Sequence, residues 1–430
     1  MLRLFRKITQ NPLSINILIG FFLGILLGFL AIYADFSNFV IQWIYPLGEI
    51  FISLLKFIAI PIVFIAVMAG IINFADIKGF SNIARKTIIV YFFTTIFAIS
   101  IGFLLVKTIQ PGKMMDREAV EQLQQHQKLD DYIPLGEEES MNNRDITSIL
   151  KDIVPENFFK SMSDNTKVLQ IIFMAVFFGI IILKLPNEKT NVLKTFINQL
   201  NEVVLKYVEI VMQTAPLGVF ALMAGMIVNF GGELSIAKAL GMYILTVTLG
   251  LFLFLILFYP LFVHLFTSIN FKDFFKTMYP VQLLAFSSSS SAVTFPVTKK
   301  QVESGLGISE KVSSFVLPLG MTINMDGTSL YQTIAALFIA QIYGIELAIT
   351  QQFFLVFVAL LSSIGTPAIP GGSIVVLVFI LSSIGLPPEG LVLILGVDRP
   401  LDMLRTAVNV TGDAFVCCFI DKNKNSKIRI

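Results

Sequence analysis

The feature that most constrains this chain is a group of charged residues inside its last apolar segment. Residues 398–413 read DRPLDMLRTAVNVTGD and carry five ionisable side chains. Asp402, Arg405, Asn409 and Asp413 follow one another at steps of three, four and four residues, so they share one face of a helix. Charged side chains are costly at membrane depth and face a protein interior or a watery cavity. This face is therefore a candidate binding site for a charged solute.

The composition predicts an all-α integral membrane protein. Of the 430 residues, 55% are hydrophobic and only 14% are charged, against roughly 25% charged in a typical soluble domain. The mean hydropathy is +0.81. The net charge of +2 is too small, and the basic residues too scattered, to favour a nucleic-acid partner. The two cysteines, Cys417 and Cys418, are adjacent and provide no disulfide framework.

Apolar runs of roughly 20 residues, the length that crosses a bilayer, predict eight transmembrane helices. Both ends of the chain are basic, which predicts that both termini are cytoplasmic and that the number of crossings is even. A long acidic stretch, 111–165, is expected to be an external polar insertion. The predicted spans are 14–33, 46–74, 87–109, 168–185, 192–228, 236–265, 311–340 and the last segment.

Two further apolar segments are interrupted at their centres. Residues 274–306 contain five consecutive serines at 287–291, and residues 352–386 contain the Ser-, Gly- and Pro-rich stretch 362–372. Each segment is too long for one crossing and too polar at its centre for lipid. Two re-entrant helical hairpins are therefore predicted, because irregular backbone at membrane depth is tolerated only inside protein or beside a cavity. Such paired broken segments are typical of a transporter binding site.

The seventh predicted span carries the sequence NMDGT at 324–328. An Asp beside a Gly can interrupt a helix and expose carbonyl groups. Asn324 and Asp326 are hard oxygen donors, which suit a hard cation better than a soft transition metal. The alternative is a kink that only shapes the helix.

Four motifs together resemble the glutamate transporter homologues, the dicarboxylate/amino acid:cation symporters. The motifs are the serine-rich stretch followed by TFPVT at 294–298, NMDGT at 324–328, SIGTPAIPGG at 363–372 and LDMLRTAVNVTGD at 401–413. The resemblance is strong over the C-terminal half of the chain and weakest in the insertion. It implies a bacterial-type glutamate/aspartate symporter, located in the inner (plasma) membrane, that assembles as a homotrimer.

The resemblance also implies an elevator mechanism, in which a transport domain moves across the membrane against a fixed scaffold. The scaffold would comprise 1–80 (spans 1 and 2) and 166–232 (spans 4 and 5). The transport domain would comprise 81–110 (span 3) and 233–430 (span 6, hairpin 1, span 7, hairpin 2 and span 8). The second hairpin is expected to be the external gate, since Gly371 and Gly372 can absorb backbone rotation.

The substrate site that the resemblance implies is suited to L-aspartate or L-glutamate. Arg405 would hold the side-chain carboxylate in a forked geometry that lysine cannot copy, and Asp402 would hold the ammonium group. Asp398 would orient Arg405. Related carriers of amine-free dicarboxylates lack the equivalent of Asp402, and those of neutral amino acids lack that of Arg405, so both classes are less favoured. The expected substrate-binding residues are Ser291, Thr328, Ile369, Gly371, Asp402, Arg405, Thr406 and Asn409.

Sodium sites can be transferred from the sodium-driven relatives in the same way. The first comprises Gly320, Asn324, Asn409 and Asp413. The second comprises backbone at Thr322, Ser363, Ile364 and Thr366. A third would combine Tyr91, Thr94 and Thr95 with Asn324 and Asp326. The alternative for Tyr91, Thr94 and Thr95 is ordinary helix packing.

Proton coupling is the main alternative to sodium, because family members include proton-driven symporters and a buried carboxylate such as Asp326 or Asp413 can take up a proton. An anion channel is less favoured, since the substrate site is complete. An enzyme is not expected, because the serine run contains no His or Lys base and no nucleophile-elbow pattern.

Overall fold

A computed structural model describes residues 13–75, 81–116, 154–164, 167–229, 234–366 and 371–421, and every regular element in these ranges is a helix. The first half contains α1 (Leu13–Tyr33), α2 (Tyr45–Ala75), α3 (Ser81–Ile109), α4 (Val168–Lys184) and α5 (Asn187–Asn229). The second half contains α6 (Leu234–Phe252), α7 (Phe271–Ser288), α8 (Ser291–Lys300), α9 (Glu310–Ile323), α10 (Asp326–Ile342), α11 (Ile349–Gly365), α12 (Gly372–Ser383) and α13 (Leu391–Ile420). The predicted all-α architecture is confirmed.

Several shorter elements extend or join these helices. A π-helical turn and a further α-helical segment prolong α6 toward residue 266, and another π-helical turn follows α8. The short elements are Ser37–Phe39, Val40–Ile44, Pro111–Met114, Phe158–Met162, Leu253–Phe258, Tyr259–Phe266, Gln301–Gly305 and Pro388–Gly390. Most of the predicted insertion, residues 117–153 together with 165, lies outside the described residues.

Six helices in the described part of the chain are long and apolar enough to cross a membrane. They are Ile15–Tyr33, Ser37–Ile72, Ile83–Met114, Glu188–Asn229, Ser235–Phe266 and Leu393–Ile420. The helix α4, at the predicted fourth span, has only 17 residues, and the predicted seventh span is divided between α9 and α10. Length and apolarity thus support six crossings, and a total of eight stays a prediction.

Glycines bring α1 and α5 into close contact. Gly20, Gly24 and Gly28 follow one another at intervals of four residues, so they lie on one face of α1. A Cβ atom at Gly20 would clash with the carbonyl group of Pro216, and one at Gly24 would clash with that of Phe220. Small residues at such intervals let two helix backbones approach closely, which maximises van der Waals contact where lipid supplies no hydrophobic driving force. The two helices therefore pack as one unit.

The last helix, α13, occupies the centre of the second half. It packs against α6, α7, α8, α9 and α10, and its apolar window is 89% buried, whereas that of α1 is 33% buried. A helix enclosed by other helices can carry charges at membrane depth, because its polar side chains meet protein groups instead of lipid. This enclosure accounts for the ionisable face that the sequence places in an apolar segment.

Three helix interruptions lie where the sequence predicts them. The pair α7–α8 is broken at Ser289, whose φ of +50° lies in the left-handed region, and the Ser290 side chain caps α8 by accepting from the Val293 amide. The helix α11 ends before residues 367–370, which lie outside the described residues, and α12 follows Gly371. Asn324 and Met325 separate α9 from α10. These breaks are confirmed, while entry of the two hairpins into a membrane stays a prediction.

Candidate substrate and cation sites

Arg405 is the most deeply enclosed cation of α13, with 1% of its surface exposed. Its Nη1 donates to Asp398 Oδ1 at 2.9 Å and its Nη2 donates to Asp402 Oδ1 at 2.8 Å. The guanidinium carbon lies 3.7 Å from the centre of the Tyr331 ring, within the range of a cation–π interaction. Charge-assisted hydrogen bonds of this length are roughly twice as strong as neutral ones. The fork of Arg405 is thus held by two carboxylates and an aromatic face.

The second oxygen of Asp402 has its own partners. Asp402 Oδ2 accepts from Arg399 Nη1 at 3.1 Å and from the Gly371 backbone N–H at 3.4 Å. The sequence analysis assigns no functional role to Arg399. Its position three residues before Asp402 nevertheless puts the two side chains next to each other on a helix. We call Asp398, Arg399, Asp402 and Arg405 the paired cluster. Its two aspartates and two arginines balance in charge.

One turn further along α13, Asn409 joins this helix to the start of α10. Its Oδ1 accepts from the Gly327 backbone N–H at 2.8 Å. Its Nδ2 donates to Thr328 Oγ1 at 3.2 Å and to Met325 Sδ at 3.3 Å. The broken helix is thus anchored to α13 beside the paired cluster.

The structure brings the predicted substrate residues together in two groups. Asp402, Arg405 and Gly371 form one group, and Thr328 and Asn409 form the other. The Thr406 hydroxyl donates to the Asp402 carbonyl at 2.9 Å. Ser291 is buried at the start of α8, which packs against α13. Ile369 lies outside the described residues.

Asp326, the first residue of α10, accepts three hydroxyl groups. Oδ1 accepts from Thr95 at 2.7 Å and from Thr94 at 3.3 Å, and Oδ2 accepts from Tyr259 at 2.8 Å. Thr94 and Thr95 are predicted members of the third cation site, whereas Tyr259 is not. Tyr259 stands in a Phe-rich run 67 residues away from Asp326, and no local pattern marks it. Tyr91, the other predicted member, donates its hydroxyl to the Val316 carbonyl at 3.0 Å.

Asp413 lies near Asp326 and is held by Asn324. Asn324 Nδ2 donates to Asp413 Oδ1 at 2.9 Å, while Asn324 Oδ1 has no hydrogen-bond partner among the described residues. A Cβ atom at Gly320 would clash with the Asp413 carboxylate, so this position has no space for a side chain. We call Asn324, Asp326 and Asp413 the carboxylate cluster. Neither carboxylate has an ion-pair partner among the residues that the structure describes.

This cluster suits a hard cation. Burying a carboxylate without a compensating positive charge is costly, and carboxylate and amide oxygens are the ligands that hard cations prefer. The unpartnered Asn324 Oδ1 is an additional oxygen donor at the same place.

The predicted second cation site lies where α9 packs against α11. The Thr322 hydroxyl donates to the Leu319 carbonyl at 2.9 Å, and the Ser363 hydroxyl donates to the Leu360 carbonyl at 2.7 Å. Thr366 follows the end of α11 and donates to the Ser362 carbonyl at 2.8 Å. Ile364 belongs to the last turn of α11. The last carbonyls of a helix lack intrahelical partners and can coordinate a cation.

Buried charges around a broken helix in an apolar helical protein define an ion-coupled membrane transporter. The model of the sodium:dicarboxylate symporter family matches residues 13–423, and the chain belongs to this family. The resemblance read from the four motifs is confirmed. As a member of a symporter family, the protein is a transporter and not an enzyme.

Curated relatives match over nearly the whole chain. The proton/glutamate-aspartate symporter of Escherichia coli (strain K12) is 36% identical over 418 residues, covering 97% of this chain and 94% of that protein. The proton/sodium-glutamate symport protein of Geobacillus stearothermophilus is 34% identical over 410 residues, covering 95% and 94%. Excitatory amino acid transporter 2 of Homo sapiens is 32% identical over 456 residues, covering 96% and 79%.

Proposed function

We propose that this protein is a secondary active symporter that imports L-aspartate or L-glutamate together with a cation. The observation that carries the proposal is the buried fork of Arg405 beside Asp402. An acidic amino acid presents a carboxylate for Arg405 and an ammonium group for Asp402, so its entry replaces one internal ion pair by two external ones. Relatives named as glutamate or glutamate-aspartate symporters support the same substrate class.

The proposed substrate site includes the remaining residues of the two groups around α13. Asn409 and Ser291, together with backbone near Ile369 and Gly371, would bind the α-carboxylate. Thr328 would assist the side-chain carboxylate, and Thr406 would assist the ammonium group. The hydrogen bonds that join Thr328, Asn409 and α10 to α13 support this assignment, since they hold the polar atoms in one region.

Sodium is the proposed coupling ion. The carboxylate cluster supports it, because Asp326 and Asp413 lie buried among oxygen donors without an ion pair in the described part of the chain. We propose the three predicted sodium sites, with Thr94, Thr95 and Asp326 as the core of the third. Proton coupling is the second candidate, favoured by the similarity to the proton/glutamate-aspartate symporter of Escherichia coli.

The proposed mechanism is elevator-type alternating access in a homotrimer. The scaffold would be 1–80 and 166–232, and the transport domain would be 81–110 and 233–430. The glycine-mediated packing of α1 on α5 supports the first assignment, and the packing of α13 on α6–α10 supports the second. The contacts of α13 with α1 and α5 would form part of the interface between the two domains. We further propose eight crossings with two re-entrant hairpins, in the plasma membrane, with both termini cytoplasmic.

Uptake of radiolabelled L-aspartate into proteoliposomes tests the function. A sodium gradient and a proton gradient are imposed separately, and Arg405→Ala protein reconstituted at equal density is the control. Sodium-driven uptake is the expected result. Uptake driven only by the proton gradient would identify the proton, instead of sodium, as the coupling ion. Wild-type uptake no greater than that of Arg405→Ala under either gradient would contradict the proposed substrate class.

A further inference from the structure

Arg399 is a buried cation that has no assigned role in the proposed transport mechanism. It is 8% exposed, its Nη1 lies 3.1 Å from Asp402 Oδ2, and its Nε has no hydrogen-bond partner in the part of the chain that the structure describes. Together with Asp398 it lines a small cavity whose other walls include Ile17 of α1, Phe51 of α2 and Met212 of α5. An arginine with unused donor capacity at membrane depth is a candidate functional residue.

Resting on the proposed function, we propose that Arg399 determines substrate specificity by neutralising Asp402. It sets how strongly binding depends on the ammonium group of the substrate. Arg399 acts through Asp402 and does not itself need to touch the substrate.

The division of the Asp402 carboxylate between two arginines supports this role. Arg405 occupies Oδ1 and Arg399 occupies Oδ2. When Arg405 turns to a substrate carboxylate, Oδ1 becomes available to an ammonium group while Arg399 stays paired with Oδ2. A ligand with an amine therefore gains a partner for Oδ1.

A ligand without an amine leaves the Asp402 carboxylate without a ligand partner, and the cost of this depends on whether Asp402 has a second cationic partner in the protein. An isolated buried carboxylate would lose its only cationic partner once Arg405 turned away, and such an unpaired charge is costly. Arg399 and the Gly371 amide keep Asp402 paired in this chain. The positive charge of Arg399 also repels an incoming ammonium group. Both effects narrow the difference in affinity between amino dicarboxylates and amine-free dicarboxylates.

Equilibrium binding to the purified full-length protein measures this difference. L-[3H]aspartate is the labelled ligand, and succinate, a four-carbon dicarboxylate without an amine, is the competitor. The quantity is the ratio of the succinate inhibition constant to the aspartate dissociation constant. We expect Arg399→Gln to raise this ratio at least tenfold and Arg399→Lys to restore it to within about threefold of wild type, because lysine preserves the charge that pairs with Asp402.

Lys56→Met is the matched control for loss of one positive charge. Lys56 pairs with Glu389 and not with Asp402, so this variant should keep the wild-type ratio. The double variant Arg399→Gln/Asp402→Asn removes both charges and leaves no unpaired carboxylate at 402. Its ratio should lie at or below that of wild type, and it can be measured even if Arg399→Gln alone does not fold.

An unchanged ratio in Arg399→Gln, or an equal rise in Lys56→Met, would overturn the role of Arg399 while the proposed function stands. A raised ratio in the double variant would also overturn it, since the effect would then not pass through Asp402. Absence of saturable aspartate binding to the wild-type protein would overturn both the specificity role and the proposed function.

Discussion

The two buried polar clusters of this protein differ in how their charges are balanced. In the paired cluster, Asp398 and Asp402 each accept from an arginine within 3.1 Å. In the carboxylate cluster, Asp326 and Asp413 accept only from hydroxyl and amide groups among the described residues. The first cluster is therefore neutral before any ligand arrives, whereas the second contains two carboxylates whose charges bound cations would balance.

This difference in charge balance suggests that the two clusters have different functions in transport. In a neutral cluster of ion pairs, the charged groups of a substrate can replace the side chains that pair with each other. The cluster therefore selects substrates whose charged groups match the positions of those side chains. A cluster of buried carboxylates without ion pairs is stabilised when a cation binds to it. Its cation occupancy therefore depends on the ion concentration on the side of the membrane that it faces. We infer that substrate choice resides in the paired cluster and energy coupling in the carboxylate cluster.

Arg405→Ala is expected to have the largest effect. It leaves Asp398 and Asp402 without their shared partner, and breaking a buried ion pair costs about 3–5 kcal/mol. Aspartate uptake should fall at least 100-fold, and the thermal unfolding temperature should drop. Arg405→Lys is the control, because it keeps the charge but loses the fork: we expect partial recovery of the unfolding temperature with little recovery of uptake. Undiminished uptake by Arg405→Ala would contradict the substrate site.

Asp326→Asn should affect coupling and stability in opposite directions. The half-saturating sodium concentration for aspartate binding should rise at least tenfold, since an amide lacks the negative charge. In sodium-free buffer the unfolding temperature should equal or exceed that of wild type, because an uncompensated buried charge is gone. Asp326→Glu, which keeps the charge, should retain sodium dependence. A drop in unfolding temperature as large as that of Arg405→Ala would break the comparison between the clusters.

Tyr259→Phe should have a smaller effect on the same cluster. It removes one hydroxyl donor to Asp326, and a hydrogen bond to a charged group contributes about 1.5–3 kcal/mol. We expect the half-saturating sodium concentration to rise by roughly three- to tenfold, less than in Asp326→Asn, because Asp326 loses one donor but keeps its charge. Tyr207→Phe is the matched control, because that hydroxyl donates to the Leu54 carbonyl and belongs to none of the proposed sites. An equal change in Tyr207→Phe would contradict a specific role of the Tyr259 hydroxyl.

Gly371→Ala should have the smallest of these effects. Gly371 has a φ of +78°, and a Cβ atom there would meet Met212 Cε at 2.5 Å. The left-handed conformation costs a non-glycine residue about 1–2 kcal/mol. Uptake should slow by about fivefold while expression changes little. The double variant with Met212→Ala removes the contact but keeps the strain, so its partial recovery would separate the two causes. Wild-type uptake by Gly371→Ala would contradict the gate assignment.

Local sequence signals predicted the helix interruptions and the shared face of the last helix, whereas Asp398, Thr94 and Thr95 were predicted from the family resemblance. The serine run 287–291 predicted an interruption, which the structure has at Ser289, and NMDGT predicted one, which it has at Asn324 and Met325. The steps of three and four residues in 398–413 put Asp402, Arg405 and Asn409 on one face of α13. Each of these signals lies within a few residues of the feature that it predicts.

The partners that come from distant segments could not be predicted in this way. Tyr259 meets Asp326 because the segment Tyr259–Phe266 and α10 both pack against α13. No spacing in the sequence indicates that contact. The ion pair between Arg399 and Asp402 could have been predicted from the spacing of the two residues. The proposed role of Arg399 in specificity depends, however, on which oxygen of Asp402 it contacts. That choice is a property of the packed structure.

Asp326 and Asp413 have no ion pair among the described residues, and in their ionised forms they would make membrane voltage part of the proposed cycle. One elementary charge that crosses a potential of 100 mV changes the free energy by about 2.3 kcal/mol. If the transport domain returns outward after releasing its cations, it carries these negative charges away from the negative interior. The resting potential of the cell would then drive the empty carrier back, so that voltage, in addition to the ion gradient, would set the rate of each new cycle.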